Sequence, residues 1–184
     1  MELFEKLEKT ALDLGASKAK VIEVRDIVFN REFRMMCERN ECGYYGRNWM
    51  CPPDVGEIDA MIDEIKQFQY ALVYQTISNL EDSFDVEGMN EAFIKHNKLV
   101  FAVQETTSGF NLVEMLNVGA GECSYCEKCA KTNDEPCRFP EKAISSLEAH
   151  GIWVQQLANT GGMKYINGTN TVTYFGALFF NLNT

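Results

Sequence analysis

Residues 54–77, "DVGEIDAMIDEIKQFQYALVYQTI", decide the fold. Ile58, Met61, Ile62, Ile65 and Phe68 recur at three- and four-residue intervals, so one face of a helix is apolar. Asp59, Asp63 and Glu64 fall on the opposite, polar side and need no catalytic role. Asp54, followed three residues later by Glu57, reads as a capping box in front of this helix. The apolar run "YALVYQTI" at 70–77 lacks polar alternation, which predicts a strand buried on both faces. A helix that feeds a buried strand is an α/β unit.

The flanking segments extend that pattern. Leu3, Leu7, Ala11 and Leu14 stand at helical spacing, with Gly15 as a stop. "AKVIEVRDIVF" at 19–29 is rich in β-branched residues and predicts one strand or two. Met89, Phe93, His96, Val100 and Val103 suit a helix over 87–106, although "LVFAV" alone would suit a strand. "FNLVEMLNV" (110–118) and "TVTYFGALFF" (171–180) read as strands, and Pro140 as the first residue of a helix through "EKAISSLEAH", closed by Gly151. "NTGGMKYINGTN" (159–170) is glycine-rich without the order of a phosphate loop and reads as a turn. Together these predict an α/β fold: a single α/β sandwich with one mixed sheet, one domain over 1–184, and two cysteine-rich metal-binding loops at 37–53 and 121–140.

Composition limits the function classes. The chain has 184 residues, 46% of them hydrophobic and 24% charged, enough to bury a core without covalent cross-links. The net charge of -10 argues against a nucleic-acid partner, which would call for a basic face. No run of 18 apolar residues occurs, so no membrane insertion is expected. The first twenty residues lack the charged, apolar, small-residue order of a signal peptide, and the expected location is cytoplasmic. Seven cysteines in that reducing setting point to metal before disulfides.

All seven fall in the two irregular loops. In "GECSYCEKCAKTNDEPCRFP" (121–140), Cys123, Cys126 and Cys129 have two-residue gaps, and Cys137 follows after seven residues. Two-residue gaps let a short chain curl so that successive sulfurs converge on one centre. Three such sulfurs suit three corners of an iron–sulfur cubane, with the fourth thiolate arriving from outside the curl. Structural zinc, the alternative, favours two separated ligand pairs around one ion. Lys128, Lys131 and Arg138 could offset thiolate charge or simply be solvated.

In "CERNECGYYGRNWMCPPDVG" (37–56), Cys37, Cys42 and Cys51 have gaps of four and eight. Three thiols are one short of closing a structural tetrahedron. They suit a second iron–sulfur centre with an open or non-cysteine-ligated iron, or a loop that packs on the first site. Tyr44, Tyr45, Arg47 and Trp49 between them would shield a cluster or anchor the loop. His96 sits on the apolar helix face and reads as a core residue; His150 lies near a helix C-terminus, where positive charge is welcome.

The chain resembles the DUF2284 family of predicted metal-binding proteins. The resemblance rests on C-x4-C-x-Y-Y-G-x-x-W-x-C-P-P at 37–53, "GAGECSYCEKCA" at 119–130, "PCRFPEKA" at 136–143 and "SLEAHGIWV" at 146–154, and runs from about residue 20 to the final strand. It implies that the seven cysteines matter as a set, and it implies no reaction. The expectation is an iron–sulfur protein for electron transfer, or a redox accessory with a redox protein partner. Cys123, Cys126, Cys129 and Cys137 would bind one [4Fe-4S] cluster, and Cys37, Cys42 and Cys51 would bind or approach a second centre. Two other readings stay open: a zinc-stabilised binding module without redox role, and an enzyme using an open cluster iron at the 37–51 loop.

Overall fold

The computed structural model of the protein describes residues 2–183. Helix α1 (Leu3–Asp13) buries Leu7 and Ala11. It ends as the sequence predicts: Gly15 turns the chain at φ +112°, its N–H donates to Leu12, and the Ala16 N–H donates to Ala11. That pair of bonds is a Schellman closure, and it satisfies carbonyls that the helix leaves open. Strand β1 (Lys18–Glu23) follows. The second half of "AKVIEVRDIVF" forms a 3-10 turn that packs Val24 and Ile27 into the core and then makes an isolated bridge between Phe29 and Ile152, outside the sheet.

Helix α2 (Phe33–Glu38) and helix α3 (Ile58–Ile65) bracket the first cysteine loop, and strand β2 (Tyr70–Asn79) follows directly. Met61, Ile62 and Ile65 are the buried face of α3, as its spacing requires. The expected Asp54–Glu57 capping box is absent. Glu57 takes the N-cap position without a side-chain bond, and Asp54 is drawn away to Lys131. Helix α4 (Val86–Thr107) opens on Asp85, whose carboxylate accepts the Gly88 N–H at 2.8 Å. Strand β3 (Leu112–Val118), helix α5 (Val154–Thr160) and strand β4 (Thr171–Leu182) complete the chain.

The sheet order is β1-β2-β4-β3, and every neighbouring pair is antiparallel. The mixed sheet expected from the sequence is therefore corrected. β2 and β3 do run the same way, linked by the crossover helix α4 that the alternation suggests. However, β4 inserts between them and is antiparallel to both. Register decides the two layers. Ala71 and Val73 of β2, with Ala177 and Phe179 of β4, face the side covered by α3, α5 and residues 147–152. Leu72 and Tyr74, with Leu178 and Phe180, face α1 and α4. A central strand covered on both sides needs the unbroken apolar runs seen in β2 and β4.

The predicted helix through "EKAISSLEAH" is also corrected. Two 3-10 turns, Pro140–Lys142 and Glu148–His150, flank an extended stretch in which Ser146 bridges Gly119 in parallel. Gly119 N–H donates to Ser145 and Leu147 N–H to Gly119, so backbone pairing wins over helical spacing. That bridge closes the base of the second cysteine loop. Helix α5, which the sequence analysis did not anticipate, carries its signal in Val154, Leu157 and Ala158 ahead of Gly161.

Candidate metal centre

β3 ends at Val118, and the chain leaves the sheet through Gly119, Ala120 and Gly121. Gly121 sits at φ +63°, and a Cβ there would meet the Phe93 ring at 2.9 Å, so glycine is required. The loop it starts carries Cys123, Cys126, Cys129 and Cys137. All four line one small cavity of about 20 Å³, walled by Trp49, Tyr125 and Phe139. Tyr125 lies between Phe101 and Phe139, each ring centroid 5.1 Å away. All four, grouped by their spacing in the sequence, border this space. Every one is a free, half-buried thiol.

The first cysteine loop docks onto this one. The Asn48 side chain, 3% exposed, donates to the Cys123 carbonyl at 3.0 Å and accepts the Met50 N–H at 3.0 Å. Its own carbonyl accepts the Cys51 N–H at 3.0 Å, so one asparagine couples a cysteine of each loop. Trp49 Nε1 donates to the Glu135 carbonyl at 2.9 Å. Lys131 Nζ lies 2.8 Å from Asp54 and 4.3 Å from the centre of the Trp49 ring, with both charged side chains only 17% exposed.

Lys131 is thus an inter-loop clamp, not a solvated base. Arg138 ties its own loop, donating to the Lys128 carbonyl at 3.1 Å. Trp49 does anchor the loop, as one of the two readings expected. Tyr44 and Arg47 instead line a second, open cavity of about 420 Å³, together with Cys42, Glu122, Cys123 and Cys126. Of the first set, Cys42 thus shares a cavity with Cys123, Cys126 and Cys129 of the second. Cys37 belongs to α2 and not to an irregular loop, contrary to the composition reading.

Electrostatics follow from this crowding. Burial pushes the Cys51 thiol up to about 12, and the neighbouring Cys42, Glu122, Cys37 and Cys123 push in the same direction. Burial raises Cys37 as well, while the Arg34 guanidinium works against it. Cys123 is raised by burial, but the Ile144 and Tyr125 backbone N–H groups point at its sulfur and favour the thiolate. The Glu122 carboxylate, which the Tyr44 hydroxyl faces, raises that phenol. Metal entering such a site must displace protons, so binding is coupled to proton release.

Both histidines lie away from the cysteines. His96 is a fully buried core residue, its Nδ1 2.9 Å from Thr76 Oγ1. His150 is not an exposed charge at a helix end; it is buried, its Nε2 2.6 Å from Ser145 Oγ. Burial holds both near about 4, so both are neutral at pH 7.

Among the described residues, no three His, Cys, Asp or Glu side chains stand close enough together to hold a single metal ion. None of the described helices is long and apolar enough to cross a membrane. Asn48 and Glu122 carry no signal in the sequence, since a lone amide or glutamate inside a cysteine motif has no spacing signature. Residues 20–180 match the family described as "Predicted metal-binding protein (DUF2284)", so the chain belongs to that family. No curated protein and no solved structure matches it.

Proposed function

We propose that this member of the DUF2284 family is a cytoplasmic iron–sulfur protein that transfers electrons or serves as a redox accessory to a partner protein. The observation that carries the reading is the single cavity shared by Cys123, Cys126, Cys129 and Cys137. A donor set of four thiols and no histidine suits zinc or an iron–sulfur cluster. The sequence spacing favours the second: the two-residue gaps between Cys123, Cys126 and Cys129 suit three corners of a cubane, whereas structural zinc prefers two separated ligand pairs.

An iron–sulfur cluster bound here would supply a one-electron redox couple. The chain's own residues do the rest. Trp49, Tyr125 and Phe139 wall the cavity, and the Ile144 and Tyr125 N–H groups point at the Cys123 sulfur and work against the burial that raises its thiol. Cys37, Cys42 and Cys51 would bind or approach a second centre, a reading supported by Cys42, which borders one cavity with three of the four other thiols. Two neighbouring centres would let electrons enter at one and leave at the other.

The test is Cys126→Ser on protein purified without oxygen. The proposal predicts loss of the brown absorbance of the four-cysteine centre with the fold retained by circular dichroism. A full complement of iron and unchanged absorbance in that variant would overturn the assignment.

A further inference from the structure

A third recess lies where the start of β4 meets the turn before Gly151 and the glycine-rich stretch 159–170. We propose that it binds a small organic ammonium ion, with Glu148 as the counter-charge and Tyr165 as an aromatic wall. The recess holds about 210 Å³ and shares no lining residue with the two cavities that the cysteines border. Nothing in it depends on a metal at those thiols.

Separate segments of the chain build the recess. The 3-10 turn Glu148–His150 brings the carboxylate, and β4 brings Thr173, Tyr174 and Phe175. The Tyr174 hydroxyl donates to the Met89 carbonyl at 3.2 Å, which holds that ring in place. Tyr165 comes from the glycine-rich stretch and stacks on Phe175, with centroids 6.1 Å and planes 19° apart. It is 45% exposed, so it stands at the mouth. Asn167 ties this stretch to the strand: its Nδ2 lies 3.0 Å from both the Lys164 carbonyl and Thr173 Oγ1.

The lining decides the sign of the ligand. Glu148 is its one charged side chain, and no cation faces it across the recess. Among the described residues Glu148 makes no ion pair. Arg34 reaches the same turn, but its guanidinium is committed to the Ala149 carbonyl and the Met61 sulfur. Solvent touches Glu148, yet burial raises its carboxyl, against the pull of its own backbone N–H and of Ser146. Those two facts agree when the carboxylate stands in a recess, open to its contents and surrounded by protein. An ammonium ion supplies the missing charge, and tyrosine faces attract it through their ring quadrupoles. The volume equals roughly seven waters at about 30 Å³ each, which suits one small amine and is below the range of drug-sized ligands.

The experiment titrates the whole protein with butylammonium chloride and, separately, with sodium butyrate, an anion of similar length, by saturation-transfer magnetic resonance. Butylammonium should bind saturably and butyrate should not. Glu148→Gln should weaken butylammonium about ten-fold or more, and Tyr165→Leu about three-fold. Glu141→Gln, which removes an exposed carboxylate outside the recess, should bind as wild type. Tyr165 stands at the mouth, so its variant keeps the proposal falsifiable where Glu148→Gln disturbs the turn. No saturable binding of butylammonium, equal binding of butyrate, or affinity unchanged in both recess variants would overturn the proposal. Displacement of butylammonium by equimolar magnesium would also overturn it, since the site would then be one for an inorganic cation.

Discussion

His96 and His150 make stability acid-sensitive by an amount that can be worked out. Both are buried, and burial lowers each from 6.5 to about 4. In the unfolded chain each takes up a proton near pH 6.5, but in the folded protein it does so only near 4. Their contribution to stability is therefore complete above about pH 6.5 and is lost as pH falls toward 4. Between pH 7 and pH 4.5 the loss is roughly 2–3 kcal/mol for each histidine and about 5 kcal/mol for both, against a typical total of about 5–15. The two sit on opposite faces of the sheet, His96 near Tyr74 and Tyr174 and His150 above Met61, so their effects should add.

The perturbation is His96→Gln, which keeps an amide facing Thr76 Oγ1 and cannot titrate. Urea unfolding at pH 7 and pH 4.5 gives the acid-induced loss for wild type and variant. Carboxylates and bound metal contribute alike to both proteins and cancel in the comparison. The variant should lose about 2–3 kcal/mol less than wild type over that interval. An equal loss in the two proteins would refute the reasoning, because His96 would then not be a buried neutral imidazole.

Gly176 lies beneath the buried Tyr74 ring, where a Cβ would meet ring atoms at 2.7–2.8 Å. Gly176→Ala should cost about 1–3 kcal/mol through overpacking and lower the melting temperature by several degrees; an unchanged melting curve would contradict that contact. Asn48→Ala leaves the Cys123 carbonyl without its donor. It should destabilise by about 1–3 kcal/mol and speed proteolytic cleavage within 37–53, whereas unaltered cleavage would mean that the loops do not depend on this bridge.

Much of the fold is legible in the sequence wherever one element carries its own periodicity. α3, α4 and the buried strands β2 and β4 lie where Ile58–Ile65, Val86–Thr107, Tyr70–Asn79 and Thr171–Leu182 place them. What escaped depends on contacts distant in sequence. Spacing cannot say that β4 inserts between β2 and β3, and this alone turns a mixed sheet into an antiparallel one. Ser146 leaves its helical pattern because Gly119 offers a backbone partner 27 positions away. The candidate site divides in the same way. The two-residue gaps announce Cys123, Cys126 and Cys129, but the docking of the loops rests on Asn48 and on Lys131 with Asp54, pairs separated by about 75 residues.

The most direct test of the central claim is iron, acid-labile sulfide and zinc per chain on protein purified without oxygen, with a visible spectrum of the same sample. The account predicts about eight irons and eight sulfides with a broad brown absorbance. One zinc per chain, no iron and no colour would contradict it and leave a structural metal protein in its place.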